Sequence, residues 1–91
     1  MKLLRVMIMD KETVIQALSQ IKDDRTVPKN IRTSCEDCIK DLQNNEEELS
    51  VRLNSCISTL DEVSNDPNIP SYTRTQIWNI VSMLEAIQHS G

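Results

Sequence analysis

Two stretches of the chain, LSQIKDDRTVPKNIRT at 18–33 and LDEVSNDPNIPSYTRT at 60–75, decide the fold when they are laid one on the other. Each runs from an apolar helical stripe through an Asp, a β-branched residue and a Pro into an Arg-Thr pair. Extending the 42-residue offset outward aligns Val14–Leu42 with Cys56–Leu84 and adds the identities Ile15/Ile57 and Leu42/Leu84. Seven of 29 pairs are then identical, where composition alone would give roughly two. Ile21/Val63, Val27/Ile69, Cys35/Ile77, Cys38/Ile80 and Ile39/Val81 keep apolar character at the same places. The chain therefore reads as two copies of one helical hairpin.

Periodicity carries the same reading to the rest of the sequence. Val14, Leu18 and Ile21 form one stripe; Ile31, Cys35, Cys38, Ile39 and Leu42 form a second. Leu49, Leu53, Cys56, Ile57, Leu60 and Val63 form a third, and Ile77, Ile80, Val81, Leu84 and Ile87 a fourth. Apolar residues recurring every three to four positions mark one face of an α-helix, which must be buried against another. Pro28 and Pro70 stand where a fixed φ and a missing N–H are tolerated, at the start of the second and fourth helices. Asn45 with Glu48 has the spacing of a capping box, which predicts a third helix from Glu46. Helices are expected near 10–22, 28–43, 46–64 and 70–88, with short links that force neighbours to run antiparallel. The fold class is thus all-α, four antiparallel helices as two repeated hairpins (10–43 and 46–88) in a single domain at 10–91. They are expected to pack either as a four-helix bundle or as two stacked repeats.

Composition agrees. The 91 residues hold one Gly, three Pro, one Tyr, one Trp and no Phe, so tight hairpins and an aromatic β-core have few suitable residues. Fourteen acidic against ten basic side chains leave a net charge of −4, the wrong sign for a domain held on a phosphate backbone. Nucleic acid is therefore not an expected partner, although Arg25, Lys29, Arg32 and Arg74 could still form a local basic patch near the two Pro turns. Met1–Met9 is apolar but interrupted by Arg5 and too short for a signal or a membrane anchor. It reads as an N-terminal extension, with Met7 and Met9 as alternative starts and Asp10 as the cap of the first helix.

Cys35 and Cys38 make a Cys-x-x-Cys pair, which with Cys56 and His89 could nominally supply four zinc ligands, or a redox couple. The repeat favours a different role. All three thiols occupy positions where the other copy has an aliphatic residue, and free Cys behaves as a small buried hydrophobe. An odd number of cysteines without an export signal points to reduced thiols in a cytoplasmic protein. No internal Gly is available for a phosphate loop or nucleophile elbow, and the one His is the third residue from the end. Glu46–Glu48 reads as a solvated helix start. No catalytic residue, cofactor or metal ligand is assigned.

The last helix differs from the others. From Ser71 to His89 its full charges are Arg74 and Glu85, and Trp78 takes the place of Glu36 in the first copy. Arg74, one turn earlier, is placed to lay its guanidinium over the indole, and Tyr72 is near the same end. These are the residue types enriched at interface hot spots, so Tyr72, Arg74 and Trp78 are the candidate interface. The alternative is that Trp78 fills a gap between hairpins or under the extension.

Residues 24–32 (DRTVPKNIR), 49–52 (LSVR), 60–70 (LDEVSNDPNIP) and 73–82 (TRTQIWNIVS) resemble the short archaeal proteins of uncharacterised protein family 0147. The resemblance covers nearly all of 10–88 and implies an archaeal cytosolic protein without an assigned activity. It supplies no catalytic residue. A looser likeness to HEAT-type repeats rests on Asp24 with Ile31-Arg32, and in part on Asp66 with Thr73-Arg74, and implies a minimal HEAT-like pair as the alternative to the four-helix bundle. Two such repeats are too few for a free-standing solenoid, which implies self-association or another protein partner.

Overall fold

The computed structural model describes residues 11–90, and these form four α-helices with no strand among them. They are α1 (Lys11–Lys22), α2 (Lys29–Gln43), α3 (Leu49–Ser64) and α4 (Ser71–Ser90). The expected N-cap Asp10 and the Met1–Met9 extension lie outside the described residues. Each helix packs on its neighbours in the chain, and α1 closes on α4; the diagonal pairs contribute little. That neighbour pattern is the ring of a four-helix bundle. A HEAT-like stack would instead set α1 on α3 and α2 on α4.

The four apolar stripes meet as the periodicity predicts. Val14, Leu18, Ile21, Ile31, Leu42, Leu53, Leu60, Ile77, Ile80 and Leu84 are buried, with Cys35, Cys38 and Cys56 among them. Burying each large aliphatic side chain contributes about 1.5–3 kcal/mol before entropy is counted. Val27 and Ile69, the β-branched residues that precede the two prolines, are buried as well and close one end of the core. The proline after each keeps it extended, so the chain enters the next helix with that side chain turned inward.

The third stripe is shorter than expected. Leu49, the first residue of α3, is exposed, and α3 starts three residues after the predicted Glu46. Glu48 occupies the cap position without a side-chain cap bond, so the Asn45/Glu48 capping box is not formed. Asn44 captures the chain first: its Oδ1 accepts the Glu46 N–H at 3.0 Å. This local turn competes with helix for the same backbone donor and delays nucleation until Leu49.

Candidate interaction surface

At one end of the bundle the α1–α2 turn (23–28) and the α3–α4 turn (65–70) lie side by side, and both are built alike. Asp24 Oδ1 accepts the Thr26 N–H at 2.9 Å, and Asp66 Oδ1 accepts the Asn68 N–H at 2.8 Å. An Asp bonding to the backbone two residues on is the turn chemistry its short carboxylate favours. The turns are then tied together. Asn30 Nδ2 donates to Asp66 Oδ2 at 3.1 Å, and the Tyr72 hydroxyl lies 3.2 Å from Asp24 Oδ2 and hydrogen-bonds the Thr26 hydroxyl. The Thr26 hydroxyl and backbone N–H, and then Tyr72 and the charge of Arg32, hold the Asp24 carboxyl below its ordinary range.

The three candidate interface residues of α4 therefore play different parts. Tyr72 is 52% exposed, but its hydroxyl is engaged by the other turn. Arg74 does not stack on the indole. Its Nε donates to Ser64 O at 2.9 Å and its Nη2 to Asp66 O at 3.2 Å, because the carbonyls ending α3 offer charge-assisted bonds stronger than an exposed cation–π contact. Trp78 stands on the outer face of α4, 56% exposed, and fills no gap between the hairpins; the alternative of a place under the extension lies outside the described residues. Its counterpart in the first hairpin, Glu36, is also exposed and pairs with Lys40 at 3.8 Å.

The sequence reading missed a feature common to all three turns. Arg32, Arg52 and Arg74 are each the fourth residue of their helix, and each reaches back to close the turn before it. Arg32 Nε donates to Val27 O at 3.1 Å. Arg52, only 8% exposed, donates to Glu47 O at 3.1 Å and to Leu42 O at 2.8 Å. The signal was present as an Arg within the first seven residues of the second, third and fourth predicted helices, yet a cation there opposes the helix dipole. The antiparallel neighbour resolves the conflict for Arg52 and Arg74, since each guanidinium lies against carbonyls at the negative end of the preceding helix. Of the residues considered for a basic patch, Arg32 and Arg74 are thus engaged with backbone, and Asp24 and Asp66 share their end of the bundle.

The thiols are interior. Cys38 and Cys56 face each other across α2 and α3, each sulfur directed at the other's carbonyl, Cys38 Sγ to Cys56 O at 3.9 Å and Cys56 Sγ to Cys38 O at 3.4 Å. Burial pushes the Cys35 thiol up to about 12. Cys38 is also driven above the ordinary thiol range, first by its bond with Cys56 and then by burial. Among the described residues no three His, Cys, Asp or Glu side chains are grouped to hold a metal ion, and no helix is long and apolar enough to cross a membrane.

Comparison with known proteins agrees with this architecture. Residues 6–87 match the Uncharacterised protein family UPF0147. A UPF0147 protein of Methanothermobacter thermautotrophicus is 47% identical over 75 residues, 82% of this chain and 74% of that protein. One from Sulfurisphaera tokodaii is 44% identical over 78 residues, 86% of each chain. Two crystal structures share the fold. The unknown function protein MMP1188 superposes with a TM-score of 0.78 at 47% identity, covering 81% of this chain and 84% of that one. A UPF0147 protein from Thermoplasma acidophilum gives 0.86 at 38% identity, covering 91% and 98%. By its residues, its helices and these relatives, the chain belongs to the uncharacterised archaeal family UPF0147.

Proposed function

We propose that this protein is a non-catalytic helical binding module of the archaeal cytoplasm, whose contact surface is the outer face of α4 centred on Trp78. The observation that carries the reading is the contrast between the hairpins. Where α2 presents Glu36 to solvent, α4 presents an indole that is 56% exposed. An exposed Trp on a face poor in charge is the composition of a protein-binding hot spot. The buried thiols support a structural role over a thiol- or metal-dependent chemistry, because the nucleophile and metal ligand is the thiolate, which burial disfavours.

The test compares wild type with Trp78→Glu as bait for affinity purification from native lysate, alongside sedimentation. The variant should keep its helicity and thermal midpoint and lose the bound partner or the oligomer. Unfolding of the variant monomer would place Trp78 in the core and end the proposal. One stoichiometric zinc in untagged protein would favour the metal chemistry instead.

A further inference from the structure

We infer that the partner on the α4 face is a second copy of this chain, docked antiparallel along α4 with Trp78 of each copy seated over Ser82 of the other. The inference rests on the reading of that face as a binding surface and names its occupant.

Ser71, Thr75, Trp78, Ser82, Glu85 and His89 are all exposed and follow one another by four, three, four, three and four residues. This is the alternating spacing along which one helix can lie on another, and it lies opposite the stripe of Thr73, Ile77, Ile80 and Leu84 that enters the core. The same positions in the first hairpin show an ordinary solvated face: Glu36 and Lys40, an ion pair in α2, correspond to Trp78 and Ser82 in α4. One large and one small residue have replaced two long charged ones.

The stripe is complementary to itself in one orientation. A two-fold axis at the level of Ile80, with helices antiparallel, sets Trp78 against Ser82, Thr75 against Glu85 and Ser71 against His89. A symmetric dimer needs this kind of self-complementary patch. Large meets small, a hydroxyl meets the carboxylate, and no like charges oppose. The parallel alternative would put Trp78 on Trp78 and Glu85 on Glu85. Two chains of net charge −4 repel overall, but the stripe carries Glu85 as its one carboxylate, and in this register it faces Thr75 and not a second carboxylate.

Trp78 is the one Trp in the chain, so its fluorescence reports on the contact directly. Wild type should sediment as a dimer that dissociates on dilution, with its emission moving to the red as it does. Trp78→Ser and Ser82→Trp should each weaken association by roughly thirtyfold or more, the scale of a hot-spot loss. The double variant Trp78→Ser/Ser82→Trp should restore the dimer, since the large and small partners are only exchanged. Both positions are exposed, and circular dichroism checks that each variant keeps its helices. A wild type that stays monomeric, a dimer indifferent to Ser82→Trp, or a double variant that stays monomeric would overturn the inference. If a monomeric wild type still captures a protein that Trp78→Glu does not, the α4 binding surface stands and the second copy is excluded.

Discussion

Thr73 is the residue at which the two hairpins disagree most plainly inside the core. It is fully buried, its Oγ1 has no hydrogen-bond partner among the described residues, and its counterpart in the first copy is Ile31. A buried hydroxyl left unpaired costs about 1–3 kcal/mol, and Val has nearly its shape without the polar atom. Thr73→Val should therefore stabilise the protein by about 1 kcal/mol, read as a higher urea midpoint at unchanged slope. The thiols make the opposite kind of prediction. Because Cys35, Cys38 and Cys56 are buried and the Cys35 thiol is pushed up to about 12, iodoacetamide near neutral pH should label none of them in the folded protein and all of them in denaturant. Rapid labelling of the native protein would show that the interior opens at α2. Their burial was legible beforehand, since the repeat placed each Cys on an aliphatic position. The unpaired Thr73 hydroxyl was not, because pairing depends on which neighbours the packing brings near.

At the scale of the element, the arginines explain how six-residue and shorter links hold antiparallel helices in register. Each turn leaves carbonyls at the end of one helix, or in the bend itself, without intrahelical partners, and a guanidinium from the first turn of the next helix satisfies some of them. The three should not be equal. Arg52 is the most buried and bonds Leu42 O and Glu47 O; Arg74 is partly buried with two carbonyls; Arg32 has one. Replacement by Met keeps the aliphatic stem and removes the donors. The loss in urea unfolding should then be largest for Arg52→Met, on the order of 3 kcal/mol, smaller for Arg74→Met and about 1 kcal/mol for Arg32→Met. Equal losses would mean that stem packing, not the carbonyl bonds, is what the arginines contribute. Helix positions were readable to within a residue where Pro28 and Pro70 punctuate the chain. At α3 the Asn45/Glu48 spacing suggested a start that Asn44 pre-empted, because a cap and an Asx turn draw on the same side-chain chemistry.

For the whole molecule, apolar period and internal repeat were enough to predict four helices, while the ring of neighbours depended on tertiary contacts that neither encodes. The candidate surface was legible only in part. Trp78 stood out as a departure from the repeat, but the directions of Arg74 and Tyr72 became clear only once the two turns were seen side by side. That juxtaposition makes the bundle's end sensitive to acid. Asp24 is held below its ordinary carboxylate range by Thr26, Tyr72 and Arg32, so its ionised form is favoured more in the folded than in the unfolded chain. The resulting stabilisation is present above the unfolded value of about 3.9 and is lost as pH falls through the lower folded one. Asp24→Asn should accordingly be less stable than wild type at neutral pH, and the difference should shrink on acidification below about pH 4. Tyr72→Phe should narrow it as well, since it removes the hydroxyl that ties Asp24 to α4. Thermal midpoints of the three proteins across that range supply the check. A gap between wild type and Asp24→Asn that is the same at both ends would show that the link between the turns is held by the Thr26 and Asn30 geometry without the charge on Asp24.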